Sequence, residues 1–286
     1  MNKFRIENDQ LTVTILPDRG GKISSIYLKA TRSEWLDQPV STSSDPGAPG
    51  RAFTHEEAFG FDEMFPTINA EGPVPDHGEV WSVPWTVLDA SESHIDLEVK
   101  GRVYDYTFRR TLVLKGNTIE MQYRVVNESS ETIPFLWTPH PLFSFFEETE
   151  ILFPEEMTEI VQAIEGGMLG AYANVSTLAD VSCLLRPGRL PVGTPAKFYN
   201  TRPLKTGYCG LRDHRGLLEF FFDPQDVPWL GCWINQRGWH GQKNLALEPA
   251  TAPMDCPEAS RQWGADPSLL PNAIRAWNLT ILCQAC

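Results

Sequence analysis

No stretch of this 286-residue sequence is apolar for long enough to cross a bilayer, and Met1–Asn8 lacks an apolar signal-peptide core. A cytoplasmic protein is expected, with no membrane partner. Basic residues are in short supply: 24 Lys and Arg stand against 37 Asp and Glu, a formal net charge of −13. That balance argues against nucleic acid as a partner and favours a small neutral ligand. Cysteine is sparse too, with 6 scattered residues and no disulfide framework, so free thiols are expected. Cys283 and Cys286 have the spacing of a redox or metal half-site but stand alone. Helical periodicity is nearly missing. Short helical turns are expected near 56–63 and over 256–263, the latter with Asp255 as cap and Pro257 early. No linker, internal repeat or low-complexity tract breaks the chain, so residues 1–286 read as one domain.

What the sequence does have is alternation. Ile95, Leu97 and Val99 alternate with Asp96, Glu98 and Lys100, and Ile119, Met121, Tyr123 and Val125 with Glu120, Gln122 and Arg124. Tyr106 to Leu114 continues the pattern with Arg110 as the exception, and Gly116-Asn117 turns the chain. Further strands are predicted at 11–16, 22–28, 83–88, 133–138, 207–211, 217–222, 229–235, 245–248 and 274–282. With 23 Pro, 21 Gly and 9 Trp, the chain reads as an all-β protein, a large antiparallel sandwich with many turns. Two irregular stretches, 36–57 and 166–206, have the length of loops that rim binding sites or decorate a surface.

Candidate chemistry concentrates in a few places. His140 lies between Pro139 and Pro141 in an aromatic run, so its direction is restricted and its charged form disfavoured. It reads either as an acid or base or as a core histidine satisfied by a carbonyl. Phe59–Thr67 holds Asp62 and Glu63 in an apolar run, and Asp76-His77-Gly78 places a histidine in a turn. Glu248 sits at the end of a Leu-Ala-Leu strand, where desolvation makes it a usable base and Pro249 is expected to stop the ladder. Glu248 and His140 together have the composition of an acid/base pair.

The set Gly60–Thr67, Asp76-His77-Gly78, Thr138–Phe143, Gly231–Asn235 and Leu247–Thr251, in that order, resembles the aldose 1-epimerase (galactose mutarotase-like) family. Leu11–Ile23 is similar to that family's first hairpin. The resemblance implies a β-supersandwich that holds a sugar and interconverts its α and β anomers without a cofactor or metal. Glu248 would take the proton from the C1 hydroxyl, His140 would protonate the ring oxygen, and His77 would bind the sugar. Asp62, Trp81, Trp137, Trp233, Asn235 and Trp239 are the accompanying candidate pocket residues, although core packing explains tryptophans equally well. The chain departs from the family at Thr206–Leu211, which lacks the aspartate that galactose mutarotases use on sugar hydroxyls. It also has no clear counterpart of their arginine, for which Arg51 or Lys197 could stand in. A sugar other than galactose is expected, taken up by a monomer or homodimer, with a rate optimum near neutrality. Rival readings are a hexose-phosphate epimerase using Arg51, Lys197, Arg202 and Lys205, a non-catalytic sugar-binding protein, and a metal site of His77, His140 and His240.

Overall fold

Alternation of apolar and polar side chains gives this chain three principal antiparallel sheets in the computed structural model, which describes residues 2–39, 48–193 and 195–285. Eight strands form the largest sheet, ordered Glu150–Leu152, Tyr208–Asp213, Gly216–Phe222, Ile274–Gln284, Thr118–Asn127, Tyr106–Lys115, His94–Lys100 and Thr86–Ala90. The hairpin at Gly116-Asn117 sets its register, pairing Lys115 with Thr118 and Tyr106 with Asn127. A second sheet runs Phe4–Glu7, Leu11–Leu16, Lys22–Leu28, Phe61–Met64 and Thr138–Pro141. The third runs Val175–Thr177, Glu159–Gln162, Pro195–Asn200, Trp229–Gln236 and Lys243–Ala250.

The second and third sheets meet edge to edge, along Thr138–Pro141 and Lys243–Ala250. Pro139, Pro141 and Pro249 have no N–H to give, so a continuous ladder cannot form there. Backbone bonds remain at the ends of the seam, between Phe143 and Leu245 (2.7 and 3.0 Å) and from Thr251 N to Trp137 O (3.0 Å). The large sheet packs against one face of this joined layer. Phe108, Leu112, Met121, Phe220 and Ile281 meet Ile15, Phe65, Phe143, Phe198, Ile234 and Leu247 in one buried core. Period two then sends Ala246, Glu248 and Ala250 to the opposite face of the layer, together with Lys197, Tyr199 and Trp233. The site lies on that opposite face.

Several local expectations need correction. No helix forms at 56–63: Glu57 is bonded to Arg19 (2.9 Å) and Arg51 (2.9 Å), and Phe61–Met64 is a strand. The helix at Pro257–Gln262 does form, but Asp255 does not cap it, because its carboxylate is turned to Tyr199 and Lys197. Residues 83–85 are drawn out of the predicted strand by bonds between Val83 O and Gly20 N and between Trp85 N and Pro17 O. Pro249 does not end its strand, which continues to Ala250 opposite Trp229. The stretch 166–206, expected to be irregular, contains strands at Val175–Thr177 and Pro195–Asn200. Of the stretch 36–57, residues 40–47 lie outside the described residues, while Gly50 N and Arg51 are bonded to Ser82 (3.0 and 3.1 Å). Cys283 is buried in the last strand, where burial pushes its thiol up to about 12; Cys286 lies outside the described residues. No helix among the described residues is long and apolar enough to cross a membrane.

Candidate active site

A groove of about 270 Å³ opens on the free face of the joined layer, near the lower end of the volumes typical of ligand pockets. Its floor comes from the seam. His140, on Thr138–Pro141, brings Nε2 to 3.7 Å from Oε1 of Glu248 on Lys243–Ala250. The prolines that interrupt the ladder fix the backbone on both sides of the imidazole. Neither Glu248 Oε1 nor His140 Nδ1 has a hydrogen-bond partner in the protein, although both are buried. Buried polar atoms without partners are uncommon; here His140 lines the groove, and Glu248, with no exposed surface, lies against His140 and Lys197, which both line it. The other oxygen of Glu248 accepts a short hydrogen bond from Nζ of Lys197.

Burial raises the Glu248 carboxyl above the ordinary glutamate value, with Lys197 opposing it. Burial also lowers His140 well below the ordinary histidine value, and the neighbouring His77, Lys197 and Lys22 lower it further. The carboxylate is thereby a stronger base, and the imidazolium a stronger acid, than either group is in water. Lys197 resists its own burial because Asp255 and Glu248 favour the ammonium, so its pKa is held up.

His77 stands on the groove wall. Its Nδ1 lies 2.8 Å from Asp76 Oδ2, which leaves Nε2 for a ligand, and its backbone takes a left-handed φ of 65° just before Gly78. Gly78 is required in this turn: a Cβ there would fall 2.2 Å from the carbonyl oxygen of Phe65. Phe53 stacks on the His77 ring at 3.9 Å and presents its edge to His140 and Trp81. Trp233 and Trp239 line the far side with Asn244 and Leu142. Asn235 is fully buried behind them and holds the turn that carries Trp239, accepting from Trp239 N (2.8 Å) and donating to Trp239 O (3.0 Å).

Besides Asn235, three of the expected pocket residues lie away from the groove. Asp62 is fully buried in an ion pair with Lys22, whose ammonium also donates to the carbonyls of Glu57 and Phe59. Trp137 is inside the core, donating to Glu63 Oε2 (2.8 Å) and packed against Tyr123 and Trp277. An ionised Glu63 needs donors there, and Trp137, Tyr123 and Arg110 supply them. Trp81 backs the wall behind Phe53, under the Arg51 guanidinium, and does not reach the groove. His240 pairs with His55 at 5.1 Å, apart from His77 and His140, and among the described residues no three His, Cys, Asp or Glu side chains are placed to hold a metal ion. Asp255 and Phe53 line the groove without being among the expected pocket residues, and Lys197, which the sequence offers as a stand-in for the family's arginine, lines it as well. Lys197 had a legible signal, as the one cation in the apolar run Ala196–Tyr199.

Comparison with known proteins bears on the family and the fold. The family model described as aldose 1-epimerase matches residues 2–163, more than half of the chain. The match includes His77 and His140 and stops before Lys197 and Glu248. A galactose mutarotase related enzyme from Lactobacillus acidophilus is 18% identical, with 99% of this chain and 98% of that one covered and a TM-score of 0.69. A galactose mutarotase-like protein from Clostridium acetobutylicum is 14% identical, covering 99% and 95%, with a TM-score of 0.73. Another galactose mutarotase-like protein, from Lactobacillus casei, is 18% identical over 99% and 100%, with a TM-score of 0.70. At such identities the likeness is one of fold. No curated protein matches this chain in sequence.

Proposed function

Because this chain belongs to the aldose 1-epimerase family, we propose that it is an isomerase that interconverts the α and β anomers of an unphosphorylated aldose. The observation that carries this reading is the buried Glu248–His140 pair, 3.7 Å apart, in which His140 lines an aromatic-sided groove and Glu248 lies behind it with Oε1 free of protein partners.

Opening a hemiacetal ring needs a base on the C1 hydroxyl and an acid on the ring oxygen at once. Glu248 Oε1 takes the hydroxyl proton while His140, as imidazolium, gives its proton to the ring oxygen. The C1–O bond to the ring breaks and a free aldehyde forms. Rotation about C1–C2 presents the other face, and closure returns both protons to where they began. His77, oriented by Asp76, binds a sugar oxygen through Nε2. Trp233, Trp239 and Phe53 offer faces to the sugar's C–H groups, and Asn244 and Asp255 offer partners to its hydroxyls. The task is a soluble one on a small molecule, and we place it in the cytoplasm.

Phosphate recognition has less support. Lys197 is bonded to Glu248 and Arg51 to Glu57, while Arg202 and Lys205 line a separate hollow with Glu156 and Glu159.

Saturation transfer between anomer resonances of free aldoses tests the proposal. Purified protein is expected to accelerate exchange for at least one sugar, and Glu248→Gln and His140→Ala are each expected to lower that rate by about 10²-fold or more, the usual contribution of a general acid or base. Sugar binding with no acceleration would replace the enzyme with a binding protein.

A further inference from the structure

The Lys197 ammonium is buried at the edge of the groove and touches two carboxylates, Glu248 Oε2 in a short hydrogen bond and Asp255 Oδ1 at 3.6 Å. Asp255 Oδ1 also accepts from the Tyr199 hydroxyl at 2.7 Å, and its backbone carbonyl anchors the N–H groups of Ile68 and Asn69 (3.1 and 2.7 Å). The register explains the arrangement. Tyr199, Gly231 and Glu248 lie in one row across three strands, and Lys197 stands beside Trp233 in the next. Gly231 leaves the opening through which Glu248 and Lys197 meet: a Cβ there would lie 3.0 Å from Glu248 Oε2 and 2.7 Å from the Tyr199 ring. Glu248 Oε1, by contrast, has no donor and points toward His140.

We infer that Lys197 is a positioning residue for the reaction proposed above: by binding Oε2 it fixes the rotation of the Glu248 carboxylate and leaves Oε1 as the proton acceptor. The inference rests on Glu248 being the base. Lys197 also supplies the charge that keeps a fully buried carboxylate ionised. The groups around Glu248 are Lys197 and Tyr199 on one strand, His140 across the seam, and Asp255 and His77 from the turns, with Cys232 nearby on the core side of the adjoining strand. Of these, Lys197 and Asp255 act on it with opposite sign.

Two substitutions therefore move Glu248 in opposite directions. The probe is the Glu248 side-chain carboxyl, followed by carbon-13 NMR over a pH series in protein labelled at glutamate and identified by its loss in Glu248→Gln. Lys197→Met is expected to shift its titration upward by about one unit or more, the size expected for losing an adjacent opposite charge. Asp255→Asn, which keeps an acceptor for Tyr199, is expected to shift it downward. The acid limb of kcat/KM for the best sugar should follow, so that Lys197→Met regains activity as pH rises. A purely structural role would lower the whole profile and leave the limb in place. If Lys197→Met does not fold, Asp255→Asn decides alone. A titration that neither variant moves overturns the inference. A titration that moves in a protein that accelerates no anomer exchange leaves Lys197 as the tuner of Glu248 and removes the epimerase reading instead.

Discussion

At the scale of single residues, the pair proposed for the chemistry decides the expected pH dependence. The working form needs Glu248 ionised and His140 protonated. Burial raises Glu248, so its ionised form is lost as pH falls through a value above the ordinary 4.5. Burial lowers His140, so its protonated form is lost as pH rises through a value well below the ordinary 6.5. The two limbs close on each other, and kcat/KM is expected to follow a narrow bell. A plateau extending into the alkaline range would mean that His140 acts as a neutral N–H donor and carries no transferable proton. Asp62 makes a second residue-scale case. Its partner Lys22 is as buried as it is, so Asp62→Ala leaves an uncompensated ammonium and is expected to cost roughly 3–5 kcal/mol in urea unfolding. Lys22→Met with Asp62→Leu should recover most of that loss. A folded Asp62→Ala protein with weakened sugar binding and unchanged stability would return Asp62 to the pocket.

At the scale of elements, the seam between two sheets is the decisive construction. Prolines usually mark the edges of sheets, and here three of them lie where two edges face each other. The layer can therefore carry an imidazole from one sheet beside a carboxylate from the other. The strand Trp229–Gln236 serves the site through a missing side chain. Gly231→Ala would push against Glu248 and Tyr199 from the neighbouring strand position, and displacements of about 1 Å at reacting groups cost on the order of 10² in rate. Gly231→Ala is accordingly expected to lower kcat of anomer exchange far more than it lowers the urea midpoint. Equal activity would show that the carboxylate has room the packing does not reveal.

At the scale of the whole molecule, the net charge of −13 gives the protein a negative long-range field. A neutral aldose is indifferent to that field, while a sugar phosphate is repelled by it. Phosphorylating a good substrate is thus expected to raise its KM, and the penalty should shrink as added salt screens the charges. A phosphorylated sugar preferred over its free form at low salt would reverse the substrate class proposed here. The fold that carries the site is shared with galactose mutarotase-like proteins at under 20% identity. What persists at that distance is period-two patterning and turn chemistry, which many sequences satisfy.

The sequence by itself determined the all-β architecture, most strand positions and the identity of the two groups proposed for chemistry. Alternation, turns and proline flanks are local properties, so they are legible along a line. It could not tell which of the aromatic and acidic residues face the groove. Asp62 and Asp255 are both acids beside apolar neighbours, yet one is in the core and the other lines the groove. That choice belongs to tertiary structure, because it depends on which cation each carboxylate meets: Lys22 from an adjoining strand claims Asp62, while Lys197 reaches Asp255 and Glu248 together. The pairing of Glu248 with His140 has the same origin. They are 108 positions apart in the chain, and only the meeting of two sheet edges brings them to 3.7 Å.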